Sequence, residues 1–299
     1  MADVIETSRL TKRYGTARGI EDVSLTVRQG EIFGFLGPNG AGKTTTIRTL
    51  LDLLHPTSGS ARLFGMDSHR DRARVHARLG NLAGEFAIDP RWRGRDVVAF
   101  VAQLRGMRTL GRAEELAQRF EADMDRPVGE LSRGNRQKVG LVQAAFHDPE
   151  LLVLDEPTAG LDPLMQERFV HFVSEERARG HTVLLSSHDL DEVQRTCDRV
   201  GMIRDGRLVA VDAVQELMKR SFRHVAIEFD EPFDASELRD VPGVVDFVQH
   251  GRRVTFRTVG AIDAVVKVAA RHTVADLELS RPTLDEVFLT FYGDGTEPC

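Results

Sequence analysis

The sequence predicts an α/β fold: a mixed sheet with helices on both faces, followed by a small C-terminal α+β domain. Three observations carry this. The near-continuous apolar runs "IFGFL", "LLVLD" and "TVLLSS" read as strands buried on both faces. They alternate with stretches of helical periodicity, the pattern of a largely parallel sheet. After about residue 220 the apolar residues alternate singly with polar ones, as in strands exposed on one face. The predicted domains are therefore 1–220 and 221–299.

In chain order, "VIETSRL" and "VSLTV" predict two short strands joined by the loop "TKRYGTARG". "GEIFGFLG" predicts a buried strand ending in glycine. It is followed by "GPNGAGKTTTIRTLLDLL", a glycine loop entering a helix with Ile47, Leu50, Leu51 and Leu54 on one face. From roughly 93 to 147 the pattern is helical, an inserted block of three segments ending in "LSRGNRQKVGLVQAAF". In that last segment Ser132 stands at an N-cap position, ahead of Val139, Val142, Ala145 and Phe146 at helical spacing. The amides at such a helix start attract anions. A plain capped helix with a glycine easing its loop explains the same five residues, so "LSRGN" alone leaves both readings open.

Strand and helix alternation resumes with "LLVLDEP", a helix from about Leu164 to Arg179, "TVLLSS", a helix from Leu190 and a hairpin turning at Asp205-Gly206. Beyond the helix "AVQELMKR" come the strands "HVAIEFD", "VVDFVQH" and "RRVTFRTV", the helix "AIDAVVKVAARH", the strand "TVADLELS" and a last helix, "TLDEVFLTFYG". Its stripe Leu284, Val287, Phe288 and Phe291 suits a helix packed in its own domain's core.

Composition narrows the function. With 29% charged residues, 41% hydrophobic residues and a formal charge of -6, the chain is an ordinary globular protein with no pull toward nucleic acid. No run reaches the eighteen or so apolar residues that span a bilayer, and the start "MADVIETSRL" lacks a signal-peptide pattern, so a cytoplasmic location is expected. Cys197 and Cys299 suggest neither a disulfide framework nor a cysteine metal site.

The chemistry concentrates in three places. "GPNGAGKT", Gly37 to Thr44, fits the spacing of a phosphate-binding loop. Its glycines let backbone amides point at phosphates, Lys43 reaches the β and γ oxygens, and the Thr44 hydroxyl can ligate Mg²⁺. "LLVLDEP" is a strand ending in two carboxylates at the sheet edge that faces a ligand crevice. There Asp155 can hold the Mg²⁺ shell and Glu156 can polarise a water for attack on the γ-phosphate. "TVLLSSHDL" places His188 just past the next strand, where a neutral imidazole could hold that water; a surface loop histidine is the plainer reading.

Together these residues resemble the nucleotide-binding subunit of an ABC transporter, and the resemblance covers nearly the whole chain. "GPNGAGKTT" resembles the Walker A motif, "LLVLDEP" the Walker B, "AGLD" at 159–162 the D-loop, and His188 the switch histidine. "LSRGN" sits at the family's signature position. The resemblance implies an antiparallel β subdomain beside the core sheet and an inserted helical subdomain at about 93–147. It implies ATP and Mg²⁺ as ligands, bound by Gly37, Asn39, Gly40, Ala41, Gly42, Lys43, Thr44 and Thr45 of the loop. It further implies adenine stacking by Tyr14, γ-phosphate contacts from Ser132 and Gly134 across a head-to-tail dimer, and a place in the nucleotide site for Asp162 of the D-loop. The implied partners are a second copy or a related ATPase subunit, and transmembrane permease subunits that attach the chain to the cytoplasmic face of the membrane.

Two departures stand out. Arg133 and Asn135 replace the third and fifth residues of the family's LSGGQ pattern, which predicts weakened geometry with the hydroxyl and second glycine retained. At the family's Q-loop, "GNLAGEF" puts Gly84 where a glutamine is usual, and Glu85, next in line, is the candidate to reach the Mg²⁺ shell; a loosened surface loop fits equally. "RPTLDEVFLTFYG" resembles the tail of ATPases serving ABC-2 type exporters, a group that includes drug and antibiotic self-resistance pumps; a plain dimerisation module is the alternative for that tail. The leading expectation is an ATP-hydrolysing motor subunit. The alternatives are a soluble non-transport ABC ATPase, disfavoured by a single cassette with a short helical block, and a weakly hydrolysing regulatory subunit.

Overall fold

The computed structural model describes residues 3–15, 17–84, 88–220, 222–232, 234, 236–260, 262–282 and 286. The chain divides into two compact units, Met1–Val214 and Gln215–Cys299. The first opens with β1 (Asp3–Tyr14), β2 (Ala17–Arg28), β3 (Ile32–Leu36), α1 (Lys43–Leu50), β4 (Ser58–Leu63), β5 (Met66–Asp67), α2 (Arg72–Ala77) and β6 (Leu79–Leu82). Helices α3 (Gly94–Leu104), α4 (Ala113–Phe120) and α5 (Arg133–Ala145) follow, with a 3-10 turn at Val128–Glu130. The first unit then runs through β7 (Leu151–Asp155), α6 (Pro163–Ala178), β8 (Thr182–Ser187), α7 (Leu190–Thr196), β9 (Arg199–Arg204) and β10 (Arg207–Ala213) to the start of α8 (Val214–Arg220).

The central sheet has six strands in the order β10-β9-β3-β8-β7-β6. Its β9, β3, β8, β7 and β6 are parallel, and β10 closes one edge as the antiparallel arm of the predicted hairpin. Every residue of β3, β7 and β8 is buried, which is why these strands read as unbroken apolar runs. Because β3, β8 and β7 are parallel neighbours, their C-terminal ends lie side by side: Leu36 pairs with Ser187, and Asp155 with Ser186. The glycine loop and the acidic strand end thus share one edge of the sheet.

The antiparallel sheet β2-β1-β4-β5 corrects one expectation. The predicted loop "TKRYGTARG" is mostly strand: β1 and β2 each run twelve residues and pair as far as Tyr14 with Ala17. Register shifts interrupt the pairing, and Arg9 and Asp22 take positive φ of 44° and 53°. Such bulges break the strict alternation by which a strand is recognised in sequence. Phe33, Phe35, Ile47 and Leu50 join Leu10, Val23 and Leu63 of this sheet in one buried cluster. Helix α5 packs so closely on β6 that a Cβ at Gly80 would lie 1.8 Å from the Ala144 carbonyl oxygen. One helix of the 93–147 block is therefore anchored on the central sheet.

In the second unit β11 (Phe222–Phe229), α9 (Ser236–Arg239), β12 (Val244–His250), β13 (Arg253–Val259), α10 (Asp263–Ala269) and β14 (Val274–Ser280) form an antiparallel sheet, β12-β13-β11-β14, with two short helices. Val225, Ile227, Phe229, Val254 and Phe256 pack with Leu238 and Val265 in its core. Leu284, Val287, Phe288 and Phe291 of the predicted last helix lie outside the described residues.

Candidate nucleotide site

The loop between β3 and α1 is shaped by its glycines. Gly40 and Gly42 take φ of 79° and 111°, conformations that a side chain would strain. Gly42 caps α1 without a side-chain hydrogen bond, so the amides at the start of the helix keep their anion-binding capacity. A bond from the Gly37 N–H to the Ser187 carbonyl (3.2 Å) ties the loop to the end of β8. Lys43 is buried; its Nζ donates to the Gly37 carbonyl (2.6 Å) and the Pro38 carbonyl (3.3 Å) and pairs with Glu156 Oε1 at 3.0 Å. The ammonium is thus threaded back under its own loop. Ala41 is buried, Thr44 and Thr45 are half-buried, and Asn39 and Gly40 are exposed.

The Asp155 carboxylate accepts from the Thr44 hydroxyl (Oδ2, 2.7 Å) and from the Ser186 hydroxyl (Oδ1, 2.5 Å). Ser186 Oγ in turn accepts from the Glu156 N–H at 3.0 Å. Glu156 has φ 50°, which turns it out of the strand line, and its Oε2 lies 2.7 Å from His188 Nδ1. Gln137 Nε2, from the second turn of α5, donates to the Glu156 and Pro157 carbonyls at 2.9 and 3.1 Å. Two side chains therefore fix the backbone that carries Glu156.

A further carboxylate braces the arrangement. Glu192 accepts from the Thr158 hydroxyl (2.8 Å) and the Ser187 hydroxyl (2.5 Å), so it bridges the residue two beyond Glu156 and the residue just before His188. Burial pushes its carboxyl above the usual carboxylate range, the charges of Glu156 and Asp189 push the same way, and the two hydroxyl bonds oppose them.

The structure brings Gly37, Lys43 and Thr44 of the loop together with Asp155, Glu156 and His188. The Thr44 hydroxyl and the Asp155 carboxylate, in direct contact, are hard oxygen donors of the kind Mg²⁺ takes, so the residues present fit that ion. Gly84 lies against the same carboxylate: a Cβ there would sit 3.0 Å from Asp155 Oδ2. Glu85 lies outside the described residues.

The remaining predicted residues lie elsewhere on the unit. Ser132 caps α5 by accepting from the Asn135 N–H at 3.2 Å, and the Asn135 side chain turns back to accept from the Asp123 N–H at 3.1 Å. A Cβ on Gly134 would lie 2.5 Å from the Gly160 carbonyl oxygen, so the signature turn and "AGLD" are in backbone contact. Asp162 caps α6 by accepting from the Met165 N–H at 3.0 Å. Tyr14 ends β1, 45% exposed, with the Lys12 ammonium 5.6 Å from its ring centre. Sequence reasoning missed Gln137, Ser186 and Glu192. Ser186 had a signal, as a polar residue in a buried strand beside an acid-tipped one; the other two act from helices whose approach only the fold reveals.

A phosphate loop entering a helix, beside a strand that ends in two carboxylates, defines a P-loop nucleotide-hydrolysing cassette. Comparison with known proteins specifies it. The ABC transporter family profile matches residues 20–159. The chain is 31% identical over 306 residues to the bacitracin transport ATP-binding protein BcrA of Bacillus licheniformis, covering 99% of each. It is 35% identical to the daunorubicin resistance ATP-binding protein DrrA3 of Streptomyces coeruleorubidus, covering 98% of each. Among solved structures, an ATP-binding subunit of an ABC transporter aligns with TM-score 0.66 and 26% identity over 72% of this chain and 92% of its own. A dimeric bacterial ABC transporter cassette shares the fold, with TM-score 0.65 and 21% identity over 70% of this chain and 98% of its own. The chain belongs to the ABC transporter family, as one of its ATP-binding, ATP-hydrolysing subunits. No helix among the described residues is long and apolar enough to cross a membrane.

Proposed function

We propose that this chain is the ATP-driven motor of an ABC-2 type exporter of the drug and antibiotic self-resistance group, working as a head-to-tail pair on separate permease subunits at the cytoplasmic face of the membrane. The carrying observation is similarity that runs through both units to bacitracin transport and daunorubicin resistance proteins, together with an intact Lys43, Thr44, Asp155, Glu156 and His188 constellation.

In this reading residues 37–45 wrap the phosphates, and Lys43 exchanges its carbonyl partners and Glu156 for β and γ oxygens. That exchange releases Glu156 Oε1 to take up a hydrogen bond from the attacking water, while His188 holds the other carboxylate oxygen in place. Thr44 and Asp155 would hold Mg²⁺, which would supply neutralisation of charge on the phosphates, with Glu85 as the candidate further ligand. Tyr14 stacks on adenine. Ser132 and Gly134 approach the γ-phosphate of the partner's nucleotide, and Asp162 steadies the D-loop between the two sites. The C-terminal unit serves regulation or dimerisation.

The test is the solution mass of full-length Glu156→Gln in Mg²⁺-ATP, measured by light scattering beside the Glu156→Gln, Ser132→Ala double mutant. The expected result is twice the monomer mass for the first protein and the monomer mass for the second. Dimers from both would remove "LSRGN" from the nucleotide interface. Monomers from both would overturn self-pairing.

A further inference from the structure

We infer that Asp52, His55 and His69 form a binding site for a divalent transition-metal ion of the zinc type, separate from the nucleotide centre. Asp52 follows the last turn of α1 with φ 55°, and its side chain is 2% exposed. A buried carboxylate needs a compensating cation or several donors. Among the described residues the ion-pair partners of this one are two imidazoles: His55 Nδ1 lies 3.2 Å and His69 Nδ1 2.9 Å from Oδ1, and His69 Nδ1 lies 3.1 Å from Oδ2. One ligand atom from each residue falls within 4.8 Å of the others. Tetrahedral coordination with bonds of about 2.0 Å separates its ligand atoms by about 3.3 Å, so the two oxygen-to-nitrogen spacings suit a shared ion.

The cluster is also held in place from outside. The His55 carbonyl accepts from Lys12 Nζ at 2.7 Å, and the Asp67 carboxylate accepts from the His69 and Arg70 N–H groups at 3.0 and 2.9 Å. The two rings meet edge to face with centroids 4.9 Å apart. Such outside support orients ligands before an ion arrives. A second group in the same unit, Asp148, Glu176 and His181, supplies the contrast. Its carboxylates, Glu176 buried and Asp148 exposed, are already paired with the Arg112 and Arg179 guanidiniums, which supply the cations that the buried one needs. The Asp52 group has imidazole in those positions, the side chain that binds zinc-type ions as a neutral ligand. On binding, each neutral imidazole carries its proton on Nε2 and offers Nδ1. Three protein ligands leave a fourth position for water, and the ion would brace the C-terminal turn of the helix that begins with Lys43 against the turn after β5.

The test is titration of the full-length, nucleotide-free chain with Co²⁺, following the visible band of tetrahedral Co²⁺, for wild type, His55→Gln and His69→Gln. Both histidines are exposed, so the variants keep the fold, which melting curves verify. The expected result is one saturable equivalent in wild type, weakened at least about tenfold in each variant. Zn²⁺ displaces the band and raises Tm of the wild type alone, while Mg²⁺ does neither. ATP hydrolysis in Mg²⁺ is unchanged in both variants, so this outcome is read independently of the exporter proposal. No saturable binding, or equal binding in all three proteins, overturns the site and leaves Asp52 as a hydrogen-bond hub.

Discussion

The phosphate loop and the signature turn are both glycine-bearing starts of helices, and they are finished in opposite ways. At α1 the cap is Gly42, which lends no side chain, and the charged groups Lys43 and Glu156 lock the loop from below. At α5 the cap is Ser132, whose hydroxyl already accepts from the Asn135 N–H, and the Asn135 side chain is turned to Asp123. The first terminus keeps its amides for an anion; the second has committed part of its polar capacity to local structure. The difference teaches that α1 should dominate nucleotide affinity, while α5 acts through position. Its second turn, through Gln137, holds the backbone of Glu156 and Pro157.

The comparison is broken most severely at Lys43. Lys43→Ala should lower ATP turnover by at least about 10²-fold and abolish the nucleotide dependence of Tm; retained nucleotide stabilisation would show that the amides suffice alone. Gly134→Ala comes next. A Cβ 2.5 Å from the Gly160 carbonyl oxygen must displace the signature turn, and turnover should fall between about tenfold and 10²-fold with ATP binding to the isolated subunit unchanged. For Glu192→Ala we expect a fall in kcat of about tenfold without a change in KM, partly rescued by Glu192→Gln, which keeps an acceptor between Thr158 and Ser187. Equal losses in both variants would assign the effect to the charge. Ser132→Ala should cost about 1 kcal/mol of stability as a lost cap, measured by denaturant unfolding.

An effect absent at neutral pH lies just past the far end of α5. Burial, reinforced by the Arg105 charge, pulls His147 from 6.5 down to about 4. A histidine held neutral in the folded chain contributes stability that is fully present above about pH 6.5 and is lost as pH falls toward 4, because the unfolded chain takes up the proton first. His147→Gln should flatten the acid limb of the stability profile in that window and leave ATP turnover at neutral pH unchanged.

The order of elements and the centre of the site were legible because each depends on neighbours in sequence. Buried parallel strands announce themselves by unbroken apolar runs, and the span from Gly37 to Thr44 is local chemistry between one strand and one helix. The long strands β1 and β2 were not legible, since bulges at Arg9 and Asp22 scramble the alternation and the charged residues between them read as loop. Gln137 and Glu192 were hidden for another reason: they reach the Glu156 and His188 segments through space, from helices whose approach no periodicity encodes.

The sequence by itself therefore determined the α/β class, the phosphate loop with its two carboxylates, and the capped helix start at Ser132, because dihedral preference, burial pattern and capping act within a few residues. Tertiary structure alone decided which groups support that chemistry. Asp155 gains Ser186 across a strand pair, Glu156 gains Gln137 from a distant helix, and Asp52 gains two imidazoles from a turn and a loop. The physical reason is that hydrogen bonds and ion pairs form between whichever groups close packing brings within about 3 Å, and packing is a property of the assembled sheet and helices.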